Sequence, residues 1–134
     1  MELIKFSFED LKVWQKAVEF SILVLNVAQE ITSHRKHYRL IEQLESASTS
    51  VALNIAEGKG RYSKKEFIQF LYVARGSLYE TAALLIILNK INLLNEKELA
   101  NIRYVSDEIG KMLSGLIKSL KYTQPKSCEL RAMS

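Results

Sequence analysis

Gln43, Ser50, Asn54 and Glu57 fall at i, i+7, i+11 and i+14, which places them on one side of a single helix. They border an apolar stripe, so they are expected to be partly buried, and buried polar groups must find partners. Ser77 and Glu80 on the following helical segment offer those partners, with Arg61 or Arg75 available to the carboxylates. Two chemistries compete for this set. Glu57 and Glu80 would do acid–base work only in a pocket that perturbs a carboxylate. The simpler outcome is a hydrogen-bond network that fixes register between helices or between subunits. No metal set or third catalytic group accompanies the two carboxylates. The network is therefore expected, no catalytic residue is assigned, and an enzyme is not.

Other catalytic arrangements find less support. His34 and His37 stand three apart in a connector with Arg35, Lys36 and Arg39, whose charge opposes a divalent cation. They are expected to be solvated surface residues. No Glu-x-x-His pair occurs, so the carboxylate-bridged di-iron pattern is absent. Cys128 alone cannot make a zinc site or an intrachain disulfide. There is no Gly-x-Ser-x-Gly and no phosphate-binding glycine loop. Gly58-Lys59-Gly60 is too short and follows a helix, so it reads as a helix stop. No metal and no cofactor are expected.

Basic residues gather in three places. Arg35, Lys36 and Arg39 form one cluster, and Lys59, Arg61, Lys64 and Lys65 with Tyr62 form the second. Lys118, Lys121, Lys126 and Arg131 form the third. Clustered positive charge is what phosphate contact requires, and such binding depends steeply on salt. Tyr62 adds a face on which an unpaired base could stack. Charges at loops and helix ends are also commonly just solvated, and lysines at a helix C-terminus complement its dipole. Repetition around a ring of subunits would multiply weak sites.

The elements that must position these groups are helices. One Pro and five Gly in 134 residues argue for long uninterrupted segments. The first helix is expected from about Phe8 to Ser33, with Ser7 and Asp10 as its start signal. Two apolar stripes run along it: Leu11, Trp14, Val18, Ile22, Leu25, and Val13, Ala17, Phe20, Val24, Val27, Ile31. That face is too wide for one neighbouring helix. The second helix is expected over 38–57 on a stripe of Leu40, Leu44, Ala47, Val51 and Ile55, with Gly58 and Gly60 ending it in the left-handed conformation. Ser63 and Glu66 form a capping box for the third, whose inner stripe is Phe67, Leu71, Ala74, Leu78 and Leu85. Its Ala82 to Leu88 run is apolar all round and is expected to be covered by another subunit. Asn92 to Asn95 is a turn, and Asn95 with Glu98 caps the fourth helix. Leu99, Ile102, Val105, Ile109, Met112, Leu116 and Leu120 line its inner face, and Asp107 can pair with Lys111 outside. Short connections favour antiparallel neighbours, hence an all-α, up-down-up-down antiparallel four-helix bundle over residues 1–122. Residues 123–134 are expected to form a polar, flexible tail after Lys121.

The bulk numbers bound the rest. The chain is 48% hydrophobic and 25% charged, ordinary for a soluble globular domain, and its length suits one domain. Net charge is +4, which suits nucleic acid without requiring it. The opening residues lack a signal-peptide pattern, and the longest apolar run is shorter than the roughly 20 residues that span a bilayer. A cytoplasmic location without a membrane partner is expected.

A family resemblance narrows this reading. Residues 8–17, FEDLKVWQKA, resemble the N-terminal motif of the bacterial four-helix bundle proteins first noticed in intervening sequences of large-subunit ribosomal RNA genes. The similarity continues through Gln43-Leu44, Ser50, Asn54-Ile55-Ala56-Glu57-Gly58, Phe67, Phe70-Leu71, Ala74 and Gly76-Ser77-Leu78-Tyr79-Glu80. It ends with Ile109 to Leu113 and Leu116-Ile117, so it covers roughly residues 6–122. The resemblance implies an up-down bundle that assembles as a ring-shaped homopentamer without established enzymatic activity. Accessory proteins of diversity-generating retroelements are similar to this family, and they form basic barrels that bind nucleic acid and a reverse transcriptase. Two departures stand out. Glu45 and Ser46 replace two residues that are commonly basic, and Ala52 stands where Pro is frequent.

The expectation is thus a homo-oligomeric bundle, with Val24, Val27 and the Ala82 to Leu88 run at subunit contacts. It would bind RNA or DNA through Arg35, Lys36, Arg39, Lys59, Arg61, Tyr62, Lys64 and Lys65. The alternative is a protein-interaction ring that serves as adaptor for a partner such as a reverse transcriptase.

Overall fold

The structure is a computed structural model describing the backbone of residues 2–32 and 37–133, and the side chains of 2–31 and 37–122. His34, Arg35 and Lys36 lie outside the described residues. Four α-helices follow a short 3-10 turn at Ser7–Asp10: α1 Lys12–Thr32, α2 Tyr38–Lys59, α3 Lys64–Lys90 and α4 Glu96–Met133. There is no strand among the described residues. The side chains of 123–134, the segment expected to form the tail, lie outside the described ones.

Each helix packs on two others, α1 on α2 and α4, α3 on α2 and α4, with no diagonal contact among the described residues. Cross-helix bonds fix the direction. Gln43 reaches Glu80 and Ser50 reaches Ser77, so numbers rise on α2 as they fall on α3. Tyr72 meets Lys121 and Arg75 meets Ser114, which makes α3 and α4 antiparallel too. The result is the expected up-down-up-down bundle.

The core follows the apolar periodicity. On α1 the stripe from Val13 to Ile31 is buried, whereas Leu11, Trp14, Val18 and Leu25 are half-buried and Ile22 is exposed. That accounts for the broad face: α1 lies in the angle between α2 and α4. Leu44, Val51, Ile55, Leu71, Leu78, Leu85, Ile109 and Leu113 are fully enclosed. Burying each such side chain stabilises the fold by about 1.5–3 kcal/mol. The hydroxyls of the three buried polar residues are bonded. Ser21 donates to Ala17 and Ser48 carbonyls, Ser48 to Glu45, and Thr81 to Ser77. Helix α3 is long and apolar enough, by length and composition, to cross a membrane, although its longest apolar run is short. In the bundle one face of it is buried against α2 and α4, as in any core helix.

Local signals hold at Ser63, at Asn92 and at Asn95. Ser63 Oγ accepts from the Glu66 N–H at 3.1 Å, while the Glu66 carboxylate takes the Ser63 hydroxyl. Asn95 and Glu98 form the reciprocal capping box. Helix α3 ends in a Schellman motif: Leu93 N–H bonds to Leu88 and Asn92 N–H to Asn89, with Asn92 at φ 64°. The N-terminal signal is different from the one expected. It is Glu9, rather than Asp10, whose carboxylate accepts an N–H, from Phe6 at 2.7 Å. A 3-10 turn results, and α1 starts at Lys12.

Candidate nucleic-acid interface

The α2–α3 connection carries the densest basic cluster. Gly60 N–H closes on the Ala56 and Glu57 carbonyls, and Arg61 N–H closes on Gly58. Ser63 then caps α3, so residues 60–63 are pinned between a helix stop and a helix start. Tyr62 is fully exposed at this tip, and Lys59, Arg61, Lys64 and Lys65 are exposed around it. Arg61 is partly committed: it pairs with Glu57 at 3.0 Å and lies over the Phe70 ring at 4.8 Å. Among the described residues no carboxylate is in ion-pair range of Lys59 or Lys65.

The glycines here work differently from the expectation. Neither uses the left-handed region, and Gly60 sits at φ −81°. Gly58 is buried inside α2, and a Cβ there would lie 2.6 Å from Phe70 Cβ and 3.0 Å from the Phe67 ring. Close approach of α2 to α3 is what requires glycine at that position.

Arg39 is exposed but stands at the opposite end of α2, about 30 Å from Lys59 at 1.5 Å per residue. The expected clusters therefore occupy two ends of the bundle. Lys118 and Lys121 of α4 share the end that carries Lys59 to Lys65; the side chains of Lys126 and Arg131 lie outside the described residues. Glu45 is half-buried and Ser46 exposed on α2, which does not touch α4.

The polar stripe is a seam between α2 and α3. Ser50 and Ser77 hydroxyls meet at 2.9 Å, and Asn54 Nδ2 donates to both the Ser50 carbonyl and its hydroxyl at 2.8 Å. Gln43 Nε2 donates to Glu80 at 3.3 Å. Glu57 binds Arg61 instead of joining this set. Glu57 lies some 14 residues, about 21 Å, along α2 from the Gln43 that holds Glu80. The two carboxylates are both exposed and are not brought together, so they form no acid–base pair. No cluster of three His, Cys, Asp or Glu suited to a metal occurs among the described residues.

Two expectations are corrected. Val24 and Val27 are 0% and 6% exposed within one chain, so they belong to its own core and cannot form a subunit contact. Of the Ala82 to Leu88 run, Leu84, Leu85 and Leu88 are buried by α2 and α4, leaving Ala83 and Ile87 outside. Arg75, a possible carboxylate partner by sequence, instead donates to Ser114 at 3.1 Å and stacks on Tyr72. What the sequence does not show is an exposed apolar set on the outer faces of α2 and α3: Leu53 at 66% exposure, Val73, Ile87 at 47%, and Ile91.

A family model described as 23S rRNA-intervening sequence protein matches residues 9–115. Among solved structures, the chain is similar to a protein of unknown function from the S23 ribosomal protein family of Bacteroides thetaiotaomicron VPI-5482. Sequence identity is 27% and the TM-score 0.76, covering 79% of this chain and 98% of that one. No curated protein matches the sequence.

Proposed function

Because the chain belongs to the family of 23S rRNA-intervening sequence proteins, we propose that it is a non-enzymatic, homo-oligomeric bundle that binds RNA or DNA through exposed basic groups. The observation that carries this is the α2–α3 tip. A fully exposed Tyr62 is held among Lys59, Lys64 and Lys65 by a helix stop and a cap. A pinned backbone at the tip presents charge and a stacking face with a lowered ordering cost on binding. A cytoplasmic location accords with such a role.

The decisive experiment is an anisotropy titration of labelled structured RNA and single-stranded DNA at low and near-physiological salt. Micromolar or tighter binding that falls with salt is expected. Changing Lys64 and Lys65 to Glu should weaken it for all sequences alike and flatten its salt dependence. An unchanged slope removes those lysines, and no binding at low salt removes nucleic acid altogether.

A second reading has its own support. Leu53, Val73, Ile87 and Ile91 leave apolar surface outside the polar seam, and apolar surface of this kind marks protein contacts. Self-association, with a pentamer as the expected size, would use this face. If nucleic acid does not bind, the chain is better described as a ring adaptor for a partner protein such as a reverse transcriptase.

A further inference from the structure

Four cations of this fold are held by carboxylates. Lys5 pairs with Asp10, Lys16 with Glu108, Arg61 with Glu57 and Lys111 with Asp107. The hydrogen bond that Lys16 donates to Glu108 raises the pKa of Lys16, as expected of a committed ammonium. Arg75 and Lys121 are different. Both are positioned, and neutral groups do the positioning.

Lys121 Nζ donates to the Tyr72 hydroxyl at 2.6 Å. It lies 5.2 Å from the ring centroid, so it sits at the ring edge beyond the hydroxyl rather than over the π face. Arg75 lies 4.9 Å from the same centroid and spends one N–H on Ser114 Oγ. No carboxylate is in ion-pair range of either among the described residues. A cation held by a hydroxyl or an aromatic ring keeps its full charge. Two such charges held around one ring, each about 5 Å from its centroid, repel one another, and an anion that reaches both relieves that repulsion. The guanidinium keeps further N–H donors for a planar or tetrahedral oxyanion.

The surroundings extend the site along the groove between α3 and α4. Ser114 also lines a cleft of about 340 Å³ with Tyr79, Ala82, Arg103 and Ser106, and with Asp107 and Lys111, which neutralise each other and leave Arg103 as the cleft's further cation. Tyr72 and Tyr79 are both exposed, two turns apart on one side of α3. Lys118 stands one turn from Lys121 on α4, and Lys65 stands two turns from Tyr72 on α3. Cations alternate with aromatic faces along the groove, which is the pattern that tracks a single-stranded backbone and stacks its bases.

We propose that this groove is the main phosphate-contact surface, with Arg75 and Lys121 gripping the phosphodiester backbone of a single-stranded polynucleotide and Tyr72 and Tyr79 available for its bases. This deepens the nucleic-acid reading and rests on it. It moves the principal contacts from the α2–α3 tip to the α3–α4 groove. Glu45 and Ser46, on α2, lie away from this groove and leave it unaffected.

The test is an anisotropy titration of fluorescein-labelled oligo-uridylate of 20 nucleotides against the full chain over a salt series. R75Q/K121Q should weaken binding on the order of ten-fold and lower the salt slope by about 1.4, the share of two phosphate contacts on a single strand. R75K/K121R keeps both charges and should retain most of the affinity. Ultraviolet crosslinking and peptide mapping should place the strand at Tyr72 or Tyr79. Thermal melts establish folding, and K121Q alone serves if the double variant melts early. If the wild type binds, R75Q/K121Q binds equally well and the crosslink maps to Tyr62 alone, the groove is overturned while the nucleic-acid reading stands. If the wild type binds nothing at low salt, both fall.

Discussion

The hydroxyls of Ser50 and Ser77 meet at 2.9 Å across α2 and α3, and Asn54 donates to the same Ser50 oxygen. This bond sets the level at which the two helices pass. Ser50→Ala leaves Ser77 and Asn54 each short of a partner and should cost about 1 kcal/mol. The double change with Ser77→Ala should cost less than the two single changes together, with a coupling of about 0.5–1.5 kcal/mol. Urea unfolding of the four proteins measures it. Strict additivity would mean that the hydroxyls do not interact in solution.

Gly58→Ala tests the close approach. Alanine favours a helix interior by about 1 kcal/mol over glycine. Here its Cβ would sit 2.6 Å from Phe70 Cβ, an atom that no rotamer change can move. The helices must separate, and a net loss of about 1–3 kcal/mol is expected. A raised melting temperature would show that α2 and α3 part at this end without cost.

Ser106 points the other way. Its hydroxyl is buried and has no partner among the described residues. Removing an unsatisfied buried hydroxyl relieves a desolvation cost, and alanine is the better helix former. Ser106→Ala should be neutral or stabilise the chain by about 1 kcal/mol. Clear destabilisation in a denaturant melt would reveal a partner for the oxygen, such as an ordered water.

The outer face of α2 and α3 makes a prediction about assembly. Leu53→Lys with Ile87→Lys replaces two exposed apolar side chains, which should alter the stability of an isolated subunit by no more than about 0.5 kcal/mol each. Sedimentation velocity should show a shift from oligomer to smaller species. An unchanged sedimentation coefficient moves the contact to another face, and a wild-type monomer at micromolar concentration ends the oligomer proposal.

Much of this architecture is legible in the residues. The stripes on α2 and α3 are buried as their spacing dictates, except that Ile41 takes the place of the half-buried Leu40, and Ser63 and Asn95 cap the helices they precede, because helix period and cap chemistry are local. Leu113 and Ile117 on α4 were less visible, since they widen a stripe that already looked complete. The role of Gly58 was hidden because a missing side chain signals a turn and a close approach equally well. Val24 looked available for a neighbour only because a wide stripe does not say which wall covers it. The polar seam was readable from i, i+7 and i+11 spacing along one helix. The pairing of Arg75 with Tyr72 and Ser114, and of Lys121 with Tyr72, was not, because charge counts along a chain carry no information about which cations meet a carboxylate across helices.

The cyclic packing of the four helices has a consequence for how the chain is made. Helix α3 receives its α2 wall as soon as it emerges. Its other wall, α4, lies a further thirty or so residues downstream, roughly 2–6 s at ordinary rates of synthesis. For that interval Leu78, Leu85 and their neighbours have no cover on the α4 side. The nascent three-helix intermediate is therefore the stage at which this protein is most open to capture by chaperones or by another copy of itself.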